Sequence, residues 1–419
     1  MARRSGSGSS GRSTGRGATG RATPGSVPPD FGGPGAPGTY GSGSGSGSGS
    51  GKKKRSGIPR WARYCTILGA ILMVASGGLL VTSEALLARY EGAVTTEDLF
   101  GDGAKVEAKS DIKGPLNILL VGIDPRNTTT LPLADSVMIM HIPASLDRGY
   151  LFSLPRDTLV DIPAFPKSGY NGGREKLNAA MSHGARIPGG GTPDRAKGFE
   201  LLSKTISNYT GIKRFDAGAI VNFAGFKKIV DAMGGVTMYV DEAEVLSEHL
   251  QPNGYARPMR SCGGCAHPYY GPQARYTKGT HKFKGWQALD YVRQRYTVEG
   301  GDYGRQRHQQ QFVKAMAQQV LSKNVMTDLP KLDKVLRAAG EALVFNGRGH
   351  SVAEFGFALK GMRQDSITMI KLPGGGISEN GKYLGEGLKP IANEFFATIN
   401  NETTDAFVAA HPELINRDK

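Results

Sequence analysis

The sequence predicts a mixed α/β domain with helices on both faces of a central sheet. Three observations carry this. Apolar runs at residues 117–123, 137–142 and 150–154 have strand length. Segments of helical length and period alternate with later apolar runs. The roughly 290 residues from Gly114 onward suffice for one large core, and no internal repeat divides them.

Ahead of that domain, residues 1–60 consist mainly of Gly, Ser, Arg, Thr, Pro and Lys, with a Gly-Ser repeat at 41–51. They lack the apolar residues that offset ordering entropy, so a disordered cytoplasmic tail is expected. The chain carries a net charge of +15. Eleven basic residues up to Arg63 face one acid, Asp30, so about +10 belongs to the tail and about +5 to the remainder. That distribution argues against nucleic-acid binding by the folded domain.

Residues 61–84 are expected to cross a membrane once. No charge falls between Tyr64 and Ser83, and twenty residues at 1.5 Å each span a hydrocarbon core of about 30 Å. Lys52, Lys53, Lys54, Arg55, Arg60 and Arg63 precede the segment, which keeps the N-terminus cytoplasmic and exports everything after Glu84. A cleaved signal peptide is the other reading, weakened by the segment's length and the long tail before it. Residues 85–113, rich in acids, form a juxtamembrane spacer. Cys65 lies in the span. Cys262 and Cys265 bracket a Gly-Gly pair, which in an oxidising compartment reads most simply as a local disulfide. Zinc would need two more ligands, and His249 and His267 do not stand in a ligand spacing. A redox pair would need a thioredoxin-like context that is absent.

Within the exported domain, expected over 114–400 with a C-terminal tail at 401–419, helices are predicted at 175–183, 194–209 and 223–233. Gly234-Gly235 stops the third, and a strand leaves that turn at 236–240. Helices at 286–293 and 304–323 flank an arginine-rich stretch. Helices at 329–342 and 352–361 and a last strand at 367–372 complete the pattern.

The arginine-rich stretch is the strongest chemical signal. Tyr291-Val292-Arg293-Gln294-Arg295-Tyr296 and Asp302-Tyr303-Gly304-Arg305-Gln306-Arg307-His308-Gln309-Gln310-Gln311 place four arginines, a carboxylate and several amides close together. Guanidinium forks match phosphate oxygens, so this is a candidate phosphate or pyrophosphate clamp. Arg305 and Gln309 are i and i+4 and share a helix face, with His308 beside them and Phe312 one turn on. Arg307 is expected to point elsewhere, into solvent. Arg293 and Arg295 lie about 200° apart on a helix. They converge only if the helix ends near Val292 and Arg295 is extended, and that break is predicted.

Three further clusters fall at strand ends. Asp124 follows one predicted strand and Asp135 precedes the next. Two such carboxylates either share a hard divalent cation, as magnesium favours, or are solvated turn acids. Arg156 and Asp157 close a third strand, where open α/β sheets place ligand groups, although a Pro-Arg-Asp turn is also common structure.

Taken in order, the segments 117–126, 134–142, 153–162, 176–180, 221–226, 231–236, 285–289 and 292–310 resemble the LytR–CpsA–Psr family of bacterial cell-envelope proteins. The resemblance covers roughly 114–375. The glycine-rich tail and the Asp-Tyr-Gly-Arg-Gln-Arg-His form are similar to actinobacterial members. The resemblance implies a three-layer α/β/α domain with an apolar pocket for a polyprenyl chain. It also implies a phosphotransferase that moves a glycopolymer with one phosphate from polyprenyl pyrophosphate onto peptidoglycan, at the 6-hydroxyl of N-acetylmuramic acid. The resemblance leaves the glycopolymer open among arabinogalactan, a teichoic or teichuronic-type acid and a capsule.

Carried over by position, Asp124 and Asp135 match magnesium (or manganese) carboxylates. Arg156, Arg293, Arg295, Arg305 and Gln309 match pyrophosphate-binding groups. Asp302 matches the cluster's acid, a metal ligand or an arginine orienter. Asp157 and Asp302 are the candidate general bases. Many members carry arginine where this chain has His308, and residues 255–276 look like an insertion. The rival readings are a polyprenyl-pyrophosphate pyrophosphatase, a transcriptional attenuator, and a lipid-binding scaffold without turnover.

Overall fold

The computed structural model describes residues 94–101, 111–125, 127–261, 267–321, 329–340, 342–363 and 365–416. The 1–60 tail, the 61–84 segment, Cys65, Cys262 and Cys265 lie outside them. Among the described residues no helix is long and apolar enough to cross a membrane.

In chain order the strands are β1 (Thr95–Thr96), β2 (Leu116–Ile123), β3 (Ala134–Ile142), β4 (Gly149–Leu154), β5 (Leu159–Ile162), β6 (Gly173–Lys176), β7 (Ala217–Asn222), β8 (Val236–Leu246), β9 (Arg275–Phe283), β10 (Leu343–Asn346), β11 (Ile367–Ile370), β12 (Gly374–Glu379), β13 (Lys382–Leu388) and β14 (Ile415–Asn416). The helices are α1 (Leu177–Ala185), α2 (Arg195–Thr210), α3 (Phe223–Ala232), α4 (Gly285–Tyr291), α5 (Asp302–Leu321), α6 (Leu329–Gly340), α7 (Val352–Ala358), α8 (Pro390–Asn401) and α9 (Thr404–Ala410).

Eight strands form one mixed sheet in the order β1-β10-β7-β2-β3-β4-β11-β14. β2 pairs parallel with β7 and antiparallel with β3, and β4 pairs parallel with β11. The central strands read as continuous apolar runs because both faces are covered. Leu119, Val121, Ile139 and Phe152 pack on one face against Leu177 and Met181 of α1, Phe199 and Leu202 of α2, and Phe395 and Phe396 of α8. Leu120, Met138, Met140 and Leu151 face the other way, toward Phe355 of α7 and Val313 and Ala317 of α5. A smaller cluster joins the β8–β9 hairpin to α3, α4 and α5 through Val230, Val236, Tyr276, Tyr291, Phe312 and Ala315.

The layers and central strands match expectation, and four boundaries do not. The core reaches back into the expected 85–113 spacer: β1 pairs with β10, and Leu99 is fully buried. The acids beside it are held, Glu97 by Arg195, so acidity did not mean solvation. At the other end, the expected 401–419 tail contains α9 and β14. Ile415 pairs with Ile370, and Leu414 is buried in the main core. The strand at 367–372 is not the last, since β12, β13 and β14 follow it. The predicted 175–183 helix starts later, at Leu177, because Gly173–Lys176 pairs with β5.

His141 on β3 is the one buried histidine in the sheet, with its Nδ1 2.9 Å from Asn117 Oδ1. Burial lowers its imidazole to about 4, against an opposing pull from Asp405. Above pH 6.5 both folded and unfolded chains hold a neutral ring. As pH falls from 6.5 to about 4 the unfolded chain takes the proton first, so stability drops. Denaturant titrations should show the unaltered chain losing about 3 kcal/mol more than His141→Gln across that window. Parallel pH curves for the two would disprove the assignment.

Candidate active site

A cavity of ≈ 760 Å³ opens at the ends of β2, β3 and β4. Asp124 comes from the end of β2, Asp135 from the start of β3 and Arg156 from the turn after β4. Arg293 and Arg295 follow α4, and Arg305 and Gln309 come from one face of α5. The predicted break is present: α4 ends at Tyr291, with Val292 as its C-cap. The expected pairing of Arg305 with Gln309 on one face is present too.

Asp135 owes its position to a register shift. Gly122 pairs with Ser136 and Ile123 with Ala134, so Asp135 is the extra residue of a bulge. Such bulges re-aim side chains at the edges of sites. The next residue, Ser136, donates its Oγ to Gln309 Oε1 at 2.8 Å.

The clamp is organised by ion pairs. Arg156 Nη1 donates to Asp135 Oδ1 at 2.7 Å. Arg293 Nη2 donates to Asp124 Oδ2 at 3.1 Å while its guanidinium lies 4.7 Å from the centre of the Phe223 ring. Arg295 reaches the Tyr296 hydroxyl at 2.5 Å. Arg305 Nη2 stands 2.7 Å from Asp302 Oδ1.

Burial opposes the charge on both Arg156 and Arg305, but with different results. Asp135, Asp157 and Asp302 outweigh it at Arg156, whose guanidinium is held above its ordinary value. At Arg305 burial prevails over Asp302 and Asp135, with Arg156 and Arg295 adding repulsion, so its proton affinity falls. The Nε atoms of Arg156 and Arg305 are both buried without a hydrogen-bond partner. A site whose guanidinium groups keep buried N–H donors unpaired suits an anion that brings several acceptor oxygens.

Asp157 and Asp302 are not among the residues lining the cavity. Asp157 pairs with Lys176 at 3.0 Å and lies 3.8 Å from Arg156 Nε. Asp302 holds Arg305 and accepts from Gln306 Nε2 at 3.2 Å. One expectation for α5 fails. Arg307 is not solvated, since it pairs with Asp241 and Glu242. His308, three residues after Arg305 on the same helix, is fully buried, stacks on Tyr291 with ring centres 4.2 Å apart and is not among the residues lining the cavity. Both side chains are drawn to acids on β8, which helix periodicity on α5 does not reveal.

The two carboxylates fit a hard cation by donor chemistry. Asp124 and Asp135 present oxygen ligands to the same cavity, beside arginines able to hold phosphate oxygens.

A family model described as the LytR_cpsA_psr family matches residues 85–401. The chain belongs to that family. Among its relatives, "Biofilm regulatory protein A" of Streptococcus mutans is 27% identical over 275 residues, covering 64% of this chain and 58% of that protein. The "Polyisoprenyl-teichoic acid--peptidoglycan teichoic acid transferase TagU" of Oceanobacillus iheyensis is 26% identical over 375 residues, covering 84% of this chain and 95% of that protein. The chain thus spans less than two thirds of the first relative's length and nearly all of the second's. The crystal structure of protein gbs0355 from Streptococcus agalactiae has the same fold, with a TM-score of 0.53 at 23% identity over 68% of this chain and 87% of that one.

Sequence reasoning on this LytR_cpsA_psr member missed one wall of the cavity, Glu248 and His249. A buried network behind them fixes the wall. Asp290 accepts from Ser247 Oγ at 2.9 Å and Tyr276 Oη at 2.7 Å, while Gln294 Oε1 accepts from the Glu248 backbone N–H at 2.9 Å. Burial pushes the Asp290 carboxyl up, against those hydrogen bonds. No local signal marks Glu248 or His249, because the wall forms only when the hairpin folds onto α4.

Burial lowers the His249 imidazole, Glu248 opposes that shift, and Arg293 adds to it. Replacing Glu248 with Gln removes the raising charge. The His249 ring, followed by NMR, should then titrate at still lower pH; an upward move would mean that Glu248 does not act on it.

Proposed function

We propose that this protein is a membrane-anchored phosphotransferase. It moves a glycopolymer with one phosphate from a polyprenyl-pyrophosphate carrier onto peptidoglycan, at the 6-hydroxyl of N-acetylmuramic acid. The observation that carries the reading is the convergence of Arg156, Arg293, Arg295 and Arg305 on one cavity, with Arg305 largely desolvated and its charge under-compensated. The transferase name of the Oceanobacillus relative supports the same class.

In this reading the acceptor oxygen attacks the sugar-linked phosphorus. The bond from that phosphorus to the bridging oxygen breaks, and polyprenyl phosphate departs with the bridging oxygen. The hydroxyl proton is lost as the new ester forms and is taken up by the departing phosphate. The four guanidinium groups and the Gln309 amide bind and orient the phosphoryl oxygens and stabilise charge that grows on them. Asp302 keeps Arg305 aimed at the cavity, and Asp135 does so for Arg156. Asp124 and Asp135 would hold magnesium, which supplies further neutralisation of phosphoryl charge when bound. Leu131, Leu133 and Phe223 line the cavity and offer apolar surface to the first units of the lipid chain. A membrane span at 61–84 would keep this site close to a lipid substrate.

The test uses the full chain with magnesium, a synthetic polyprenyl-pyrophosphate oligosaccharide and peptidoglycan fragments, followed by mass spectrometry. A glycan-phosphate-muropeptide adduct is expected, and Arg293→Ala with Arg295→Ala should slow its formation by at least ~100-fold. Polyprenyl phosphate without an adduct would make the protein a pyrophosphatase. Tight lipid binding without turnover would make it a scaffold.

A further inference from the structure

Behind the cavity wall, where β8 packs on α5, three potential ligands from two elements converge. Asp241 and Glu242 lie in β8 where the register jumps from Val240–Gly279 to Glu244–Thr277. Three residues on β8 there oppose one on β9, so the strand bulges and releases both carboxylates from the regular alternation. His308 of α5 meets them. Its Nε2 stands 3.2 Å from Glu242 Oε1 and 4.0 Å from Asp241 Oδ1. One donor atom from each of the three residues lies within 4.8 Å of the others.

The surroundings leave this group unfinished. His308 is fully buried, yet neither ring nitrogen has a hydrogen-bond partner, because the approach to Glu242 has the distance but not the angle. Asp241 Oδ1 and the Tyr291 hydroxyl, whose ring stacks on His308, are also buried without partners. Arg307 takes up part of the charge, with Nε 3.0 Å from Asp241 Oδ2 and Nη2 2.5 Å from Glu242 Oε1. Two carboxylates against one guanidinium still leave one negative charge when His308 is neutral. Buried polar atoms left over in such numbers call for an ion or another partner.

We propose that Asp241, Glu242 and His308 bind a borderline divalent cation, zinc by donor type. An imidazole nitrogen with two carboxylates suits zinc better than magnesium, which prefers oxygen alone. Zinc bonds of about 2.1 Å at tetrahedral angles separate donors by roughly 3.4 Å. The separations of 3.2 and 4.0 Å from His308 Nε2 bracket that value, so little movement of the ring is needed. The ion would pin the β8 bulge to α5, the helix that also carries Arg305 and Gln309. The site shares no residue with Asp124 and Asp135 and does not depend on the proposed transfer reaction.

The test measures zinc in the full chain, with Cys65, Cys262 and Cys265 replaced by serine to remove competing thiols. After chelation and dialysis against Zn²⁺, about one zinc per chain should remain by mass spectrometry. His308→Gln and Asp241→Asn should each lose it, while Asp124→Asn with Asp135→Asn keeps it. Retention by His308→Gln overturns the proposal. So does a chain that holds no zinc and shows His308 as an imidazolium by ¹⁵N NMR, since a proton then neutralises the cluster. If the variants fail to fold, zinc-edge anomalous scattering from zinc-soaked crystals of the unaltered chain decides. A peak between the three side chains upholds the site, and its absence refutes it.

Discussion

The structure depends on how one polar helix is buried. α5 carries Gln306, His308, Gln310 and Gln311 with less than a tenth of each exposed. A buried amide left unpaired costs roughly 1–3 kcal/mol, so the partners that Gln310 finds constrain the elements around it. Gln310 Nε2 donates to Ser153 Oγ at 3.0 Å and to the Ile370 carbonyl at 3.2 Å, and its Oε1 accepts from Asn416 Nδ2 at 3.0 Å. One side chain therefore fastens α5 to β4, β11 and β14. Gln309 adds a link to β3 through Ser136. Val313 and Ala317 pack toward the sheet while Phe312 and Ala315 pack toward the hairpin. With those sides occupied, Arg305 and Gln309 share the face that lines the cavity.

That placement explains the electrostatics of the cavity. Guanidinium groups brought together in a partly dry space repel one another, and each also loses hydration. Carboxylates relieve the strain unevenly. Asp135 and its neighbours over-compensate Arg156, whereas Asp302 does not fully compensate Arg305. The shortfall lies where an incoming pyrophosphate would supply oxygen acceptors. Preorganised donors of this kind stabilise developing charge with little rearrangement, which is the largest single contribution in much phosphoryl and acyl chemistry.

The β8–β9 hairpin serves the site from two sides. Its bulge aims Asp241 and Glu242 at α5, and the chain beyond β8 delivers Glu248 and His249 to the cavity. Asp290 at the end of α4 ties the second part down, through Ser247, Tyr276 and Gln294. The hairpin is therefore coupled to both helices that present arginines. Sequence change in this hairpin can alter the cavity wall without touching the clamp.

The sequence by itself determined the central strands and which arginines gather at the cavity. Central strands such as β2 and β4 were legible because continuous apolar runs of strand length have few other solutions. The end of α4 was legible because two arginines two residues apart cannot share a helix face. Spacing alone also paired Arg305 with Gln309. Tertiary structure decided the rest, for one physical reason: the deciding partners are distant in the chain. Leu99 reads as spacer until β1 docks on β10, and Leu414 reads as tail until β14 pairs with β11. Arg307 reads as solvated until Asp241 and Glu242 arrive from β8. Local pattern fixes what a segment can form, and long-range closure fixes which of its side chains meet water, an ion partner or the cavity.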